Sequence, residues 1–460
     1  MRLNFYGAAR AVTGSCMMLE VNSYKVLIDC GMPQGSEAEN TGMNFPFKAR
    51  EVDSVLVTHA HVDHVGRLPL LVKYGFNGII WTTDQTKKLA EIILLDCAKL
   101  QELDADHKNS KLIRQGKTPN VKPLYTTEDA MRTIDMIDSK PYGEEFEPVH
   151  GLKVLFSDAG HMLGSASIVA KAENRTVVFS GDIGNPYNDL IAESKPIKTA
   201  DYVIMESTYG NRLHDYTGDN STEAKVEELR DIVHEAFAKG GKVIIPCFAV
   251  GRTQEILYYL YLINKTEEVP VFLDSPMAIK ATQVFLEVNA EYYKEEFSHL
   301  LEQGVDPMAF PALKYLLTPS DSASMNEYEG SCVIVSSSGM CEGGRIVHHL
   351  RHQLPRKENT VLFTGYQANG TLGRRILEGN KTVNVSGHTV EVKASVRSLK
   401  GMSGHADKNG LVEWVSRIEP KPRQVFVVHG GSHIAPDFAG LLREKGFNAL
   451  APEFKESYSL

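Results

Sequence analysis

The sequence predicts an α/β fold in which a first domain is interrupted by a second. Three observations carry this expectation. Short β-branched runs recur early in the chain, each ending in a polar or ionisable residue: "YKVLIDCG", "SVLVTHAH", "LKVLFSDAGH", "TVVFSGDIG" and "DYVIMESTYG". Helical patterns lie between them, as in "GRLPLLVKYG" and "TTDQTKKLAEIILLDCAKL". Strands that end in histidine return only near the C-terminus, in "VEVKASVRSLKGMSGHAD" and "RQVFVVHGG", after a block of different rhythm. Strands alternating with helices indicate α/β architecture, with function at the C-terminal ends of the strands.

The block after Gly210 is read element by element. "NSTEAKVEELRDIVHEAFAKGGKVIIPCFAVGRTQEILYYLYLI" gives a helix, a glycine-rich stop, a buried strand, a turn and a second helix. "VPVFLDSP", "GSCVIVSSSGM" and "NTVLFTGYQANGTLG" follow as strands that end in small-residue loops, which makes a parallel α/β unit of its own. "NKTVNVSGHTV" is expected to be a short connecting segment.

Composition narrows the function classes. The 460 residues suffice for two or three domains, and 42% hydrophobic with 23% charged content is globular. No apolar run is long enough to span a bilayer, and "MRLNFYGAAR" lacks a signal-peptide core, so a cytoplasmic protein without membrane contact is expected. The six cysteines are scattered without a C-x-x-C pair, which reads as reduced thiols and argues against a thiolate zinc site. A net charge of -9 excludes a protein that coats nucleic acid by overall basicity. Any nucleic-acid partner must be attracted by a local cleft and by bound cations.

The stretch "VTHAHVDHVG" packs His59, His61, Asp63 and His64 between a strand and a helix. His59 and His61 alternate by two on extended backbone and so point the same way. Asp63 and His64 fall where the helix begins and can address a second centre. Four such side chains within six positions have metal-ligand spacing. His161 in "DAGHMLGSA", Asp182 in "FSGDIG" and His429 in "VVHGG" each follow a strand. A single histidine there could bond a carbonyl and a single aspartate could make a turn; their joint recurrence points to metal.

"THAHVDHVG", "GHMLGSA" and "FSGDIG" resemble the metallo-β-lactamase superfamily. "ESTYG", "SSSGM…GGR", "GYQANGTLGRR", "SGHAD" and "VVHGG" narrow the resemblance to its β-CASP branch of nucleases, specifically to the cleavage and polyadenylation specificity factor-like RNA nucleases. It covers nearly the whole chain, in the family's motif order. It implies an αββα sandwich formed by 1–207 and 391–460, with a β-CASP α/β domain inserted over 208–390. It implies two Zn2+, one held by His59, His61, His161 and Asp182 and the other by Asp63, His64, His429 and the shared Asp182. Asp29 would orient a ligand or the water. Asp63 and Asp182 would also serve the reaction, His405 would be the general acid and Glu206 would orient it. The implied activity is hydrolysis of phosphodiester bonds in single-stranded RNA by a metal-bridged hydroxide, in RNA processing or decay. A histidine at position 429 is typical of the RNA-processing members.

Ser337, Ser338, Arg345 and Arg374 lie in glycine-rich loops that suit phosphate, although such turns also occur without ligands. Tyr209, Tyr366 and Phe248 could stack bases, but aromatics at strand ends are more often core. Gly431 stands where the family often has an acidic residue, and His433 and His214 are near enough in sequence to matter. His348 and His349 share a helical pattern and are not read as ligands. The chain ends soon after the last motif, so specificity is expected from the inserted domain or from partners, and an oligomer is left open. A DNA nuclease, a metallo-hydrolase of another substrate and an inactive scaffold are the alternatives; filled ligand positions disfavour the scaffold.

Overall fold

A computed structural model describes residues 1–35, 37, 42–214, 220–368 and 370–460. Asn369, within "GYQANGTLGRR", lies outside them. The chain divides into two compact units, one of Met1–Pro186, Glu193–Leu213 and His405–Leu460, the other of Tyr187–Ala192 and His214–Gly404. Residues 391–404 therefore fall in the second unit and His405 opens the last stretch of the first.

The first unit is a sandwich of two seven-stranded sheets. One runs in the order Ser457–Ser459, Arg2–Gly7, Cys16–Val21, Tyr24–Ile28, Ser54–Leu56, Ile79–Thr82, Ile137–Ser139. The other runs Ala449–Leu450, Gln424–Val427, Tyr202–Met205, Arg175–Phe179, Ala166–Ala172, Leu152–Asp158, Phe146–Val149. Period-two alternation decides which face each residue meets. Val177, Phe179, Ile204 and Phe426 join Leu3, Phe5, Leu19 and Ile28 in the core between the sheets. Their neighbours Val178, Val203, Val425 and Val427 face outward and are covered by Trp414 and Val415 of the helix Lys408–Ser416 and by Phe438 and Leu442 of Ile434–Glu444. On the other flank, the helix Asp84–Arg114 packs on Thr127–Ile134 and Ile137–Ser139. Its start is capped by the Thr83 side chain, which accepts from Thr86 N.

Each sheet has a parallel half, and this is what positions the site. Tyr24–Ile28 pairs parallel with Ser54–Leu56, and Arg175–Phe179, Tyr202–Met205 and Gln424–Val427 pair parallel with one another. Parallel strands deliver their C-terminal ends to one edge. Asp29, His59, Asp182, Glu206 and His429 all follow those ends within three residues.

The second unit carries a six-stranded parallel sheet in the order Leu313–Tyr315, Val271–Leu273, Val333–Ser336, Val243–Pro246, Thr360–Phe363, Ser395–Ser398. Its central strands, "VIIP", "VIVS" and "TVLF", are buried throughout, as a sheet covered on both faces requires. The segment expected to be a plain connection is instead a hairpin, Thr382–Val385 with His388–Glu391. Its alternate valines, Val383, Val385 and Val390, join a core cluster, and its two-residue turn places Ser386 and Gly387 at φ 50° and 83°. That conformation suits a tight hairpin and is available to glycine at little cost.

Candidate metal centre and active site

His61 ends an extended stretch (φ -60°, ψ 147°) and caps the short helix Val62–Val65, so the backbone turns between the second histidine and Asp63. This separates the motif into two directions. The loop after Ile28 and the residue before Cys16–Val21 support it: Cys30 N donates to His64 O (2.8 Å) and Ser15 N to Asp63 O (2.8 Å). A Cβ on Gly31 would lie 1.5 Å from Asp63 O, so only glycine allows this approach.

Four donors converge in the first direction. His59 Nε2 and His161 Nε2 lie 3.1 and 3.2 Å from His61 Nδ1, and 3.4 and 3.6 Å from Asp182 Oδ2. Tetrahedral coordination at about 2.0–2.1 Å sets its ligands about 3.3 Å apart. In the second direction, His64 Nε2 and His429 Nε2 are 3.1 Å apart, and Asp63 Oδ2 is 3.9 and 3.4 Å from them. Asp182 Oδ1 faces this set at 3.5 Å from His64 and 3.6 Å from His429. Asp182 is 2% exposed, and its Oδ1 is buried without a hydrogen-bond partner among the described residues. A buried carboxylate oxygen left unpaired is costly unless something cationic meets it. The donor set therefore fits metal.

The electrostatics agree. Burial pushes His59 down to about 3, and it holds His161 well below the usual imidazole range. Both are neutral and able to ligate. Burial would also lower His64 and His429, but the Asp182 carboxylate and its acidic neighbours outweigh it and raise them to about 9 and about 10. Metal binding there must displace protons.

Outer contacts fix the imidazoles. Asp29 Oδ2 accepts from His64 Nδ1 at 2.7 Å, and Asp29 Oδ1 accepts from Thr58 N at 2.8 Å. An acceptor-only carboxylate forces the proton onto Nδ1 and leaves Nε2 for the cluster. The Thr58 hydroxyl lies 3.1 Å from His59 Nδ1, and the Thr208 hydroxyl 3.1 Å from His429 Nδ1. Asp29 and His429 occupy left-handed backbone, φ 59° and 49°, which non-glycine residues seldom adopt without a local reason. The sequence does not single out Thr58 or Thr208. Each stands inside a quoted motif, yet no spacing or charge marks a hydroxyl as a partner.

His405 stands beside this centre. Its Nδ1 is 3.1 Å from Glu206 Oε1 and 4.0 Å from Asp182 Oδ2. Glu206 is 1% exposed and is itself held by Ile183 N at 2.6 Å and Thr208 N at 3.1 Å. Burial opposes protonation of His405, but Glu206 outweighs it and raises the imidazole above its usual value. A Cβ on Gly184, which bridges to His405, would lie 1.8 Å from Gly160 O, so the second glycine of "GDIG" lets the strand-end loops close together.

The remaining sequence candidates are taken by their own contacts, and of these Tyr209 sits beside His405, with ring centroids 5.9 Å apart. Ser337, Ser338, Arg345 and Arg374 belong to the second unit. The Arg345 guanidinium donates to Asp274 Oδ1 (2.7 Å), Leu316 O (2.9 Å) and Leu317 O (3.0 Å). Arg374 Nε pairs with Glu378 at 2.7 Å, and Ser338 Oγ lies 3.3 Å from Gly343 O. Ser337 Oγ is buried without a partner among the described residues. Phe248 and Tyr366 are exposed, whereas Tyr209 is buried under the Arg212 guanidinium, 4.3 Å from its ring centroid. His348 is exposed, while the buried His349 bonds Asp274 at 2.6 Å. His433 is exposed at the start of Ile434–Glu444, and all six cysteines are free thiols. Among the described residues no helix is long and apolar enough to cross a membrane.

Three family models match the chain: the metallo-β-lactamase superfamily over residues 9–225, the Beta-Casp domain over 253–376, and a Zn-dependent metallo-hydrolase RNA specificity domain over 389–452. The chain is 37% identical over 457 residues to ribonuclease TTHA0252 of Thermus thermophilus, covering 99% of each. It is 32% identical to an RNase J-like protein of Methanocaldococcus jannaschii, covering 95% of this chain and 94% of that one. It is 30% identical to transcription termination factor FttA of the same organism, covering 96% of this chain and 69% of that one. In fold it is similar to a crystal structure from Enterococcus faecalis V583, at 14% identity and a TM-score of 0.55, covering 100% and 99% of the two chains. With its two donor sets at the edge of a sandwich, the chain belongs to the β-CASP ribonuclease branch of the metallo-β-lactamase superfamily, a family of metal-dependent hydrolases.

Proposed function

We propose that the protein is a zinc-dependent ribonuclease that hydrolyses single-stranded RNA. The observation that carries this reading is the Asp182 carboxylate, whose two oxygens face two separate donor sets while His405 and Glu206 stand alongside. His59, His61, His161 and Asp182 would hold one Zn2+, and Asp63, His64, His429 and Asp182 the other; neutral imidazole and carboxylate suit that ion. When bound, the ions supply Lewis-acid charge for a phosphate oxygen and activate water at neutral pH.

The chain's own residues do the rest. Asp29 holds the His64 tautomer that exposes Nε2. Glu206 accepts from His405 Nδ1 and keeps the imidazole charged. Protonated His405 then gives its proton to the departing 3′ oxygen, which leaves a 5′-phosphate and a 3′-hydroxyl. In the second unit, Ser337, Ser338, Arg345 and Arg374 would contact the phosphate backbone of the strand. The choice of RNA rests on the names of the relatives and on histidine at position 429.

Matched single-stranded RNA and DNA oligonucleotides, assayed together with the zinc content of the purified chain, test the proposal. RNA cleavage with two zinc ions per chain is expected. A clear DNA preference, or a chain that holds no zinc, overturns it.

A further inference from the structure

The helix Asp84–Arg114 of the first unit ends in a basic patch that the metal centre does not use. From His107 to Thr127 the sequence holds Lys108, Lys111, Arg114, Lys117 and Lys122 and no aspartate or glutamate, in a chain whose net charge is -9. Surfaces of soluble proteins normally intersperse the two signs. All five cations are exposed. Lys108 Nζ pairs with Asp104 at 2.7 Å, and no ion pair among the described residues engages the other four. Of the acids just before the patch, Glu102 accepts from Thr127 N at 2.9 Å and from Thr127 Oγ1 at 2.7 Å, and Asp106 is exposed.

The fold gathers these charges on one projection. The helix buries Leu89, Ala90, Ile93 and Leu94 in its first half and Ala98 and Ala105 later. Each residue from Asp106 to Arg114 is half-buried or exposed. At 1.5 Å per residue this is about 13 Å of helix clear of the core. The chain then turns back along it. Lys117 N donates to Leu112 O at 2.9 Å, the Asn109 side chain bonds both Val121 O (2.9 Å) and Val121 N (3.0 Å), and Leu124 N donates to Gln101 Oε1 at 3.2 Å. This return holds Lys117 and Lys122 beside the cations of the last helical turns. Lys111 and Arg114 also suit the negative end of the helix dipole. Lys117 and Lys122 lie beyond the helix, so the dipole does not account for them.

We infer that this arm docks the phosphate backbone of RNA through Lys111, Arg114, Lys117 and Lys122. Clustered like charges repel one another, and a polyanion relieves that repulsion while it releases its own counterions. Contacts to phosphate carry no base information, so the arm adds affinity and not sequence choice. The choice of RNA as the polyanion rests on the ribonuclease activity proposed above.

The test follows a labelled poly(U) oligonucleotide by fluorescence anisotropy across a salt series. The protein is the zinc-loaded His405→Ala chain, which on the proposed mechanism leaves the strand intact. If it still cuts the strand, the same series with Asp182→Ala decides. Lys111→Gln, Arg114→Gln, Lys117→Gln and Lys122→Gln are introduced together. Each single-strand phosphate contact contributes about -0.7 to the slope of log K against log salt, so four lost contacts should make the slope shallower by about 2.8. Lys153, Lys171, Lys421 and Lys445 are exposed in the same unit. Their joint replacement by glutamine should move the slope by less than about 0.7. A slope that the arm variant leaves unchanged, as expected if the patch meets an acidic protein instead, would overturn the inference. So would an equal change in the second set. Arm-dependent binding by a parent chain that cleaves no RNA would remove the ribonuclease reading and keep the dock; cleavage with an unaffected slope would do the reverse.

Discussion

Asp29→Asn replaces one carboxylate oxygen by an amide nitrogen and should disable one of the two proposed metal sites. Asp29 accepts hydrogen bonds from His64 Nδ1 at 2.7 Å, from Thr58 N at 2.8 Å, from Thr58 Oγ1 at 2.9 Å and, more weakly, from Ser15 Oγ at 3.4 Å. An asparagine has one acceptor oxygen. With that oxygen toward Thr58 N, the amide nitrogen faces His64 Nδ1 and moves the imidazole proton onto Nε2. With the amide reversed, its nitrogen faces the Thr58 N–H. Donor meets donor in either orientation, and the first removes the lone pair with which His64 would ligate. Loss of such an outer partner typically lowers metal affinity about 10- to 100-fold, which is about 1.4–2.7 kcal/mol. Only the set of Asp63, His64 and His429 is affected. Chelator-competition titration of metal-stripped protein should resolve two zinc sites in the parent chain. In the variant one Kd should rise by that factor and the other should stay within about two-fold. Equal weakening of both sites, or of neither, would refute the tautomer reasoning.

Other perturbations test other links. Asp158 is 5% exposed, and burial pushes its carboxyl up to about 7. A folded pKa above the unfolded one gives stability that is present below about pH 4 and lost as pH rises through about 7. Asp158→Asn keeps an acceptor for Gly160 N and should leave stability unchanged near pH 4, but add up to about 4 kcal/mol at pH 8; a pH-independent offset in denaturant unfolding would contradict this. A Cβ on Gly430 would lie 2.2 Å from Ser207 Oγ, so Gly430→Ala should lower the melting temperature and weaken zinc binding. A Cβ on Gly431 would be 3.5 Å from Ile434 Cδ1, so Gly431→Asp should fold with stability within about 0.5 kcal/mol of the parent; a large loss would mean that this glycine is needed for the turn.

What the sequence disclosed depended on how local the signal was. His59, His61, Asp63 and His64 declared themselves because six consecutive positions carry the spacing. His161, Asp182 and His429 were legible as residues following strands, and their grouping came from the family resemblance, since parallel strands from distant parts of the chain bring them together. The hydroxyls of Thr58 and Thr208 were not legible, because a threonine beside a histidine looks the same whether it is a partner or filler. The partners of Arg345 within its own unit were equally hidden. An arginine after a glycine-rich loop has one appearance in sequence, and here its guanidinium meets Asp274 and two carbonyls within its own unit. In "NKTVNVSGHTV" polar residues alternate with the valines, so the hairpin around Ser386–Gly387 shows no continuous apolar run. In the fold that alternation buries one face.

The central claim is that two metal ions sharing Asp182 make this chain an RNA-cleaving enzyme. Its most direct test is to incubate end-labelled single-stranded RNA with the purified protein as isolated, after metal stripping, and after zinc is restored, with Asp182→Ala in parallel. The account predicts cleavage to 5′-phosphate and 3′-hydroxyl products that disappears on stripping, returns with about two equivalents of zinc, and is absent from the variant. Full cleavage by the stripped protein or by Asp182→Ala would contradict it.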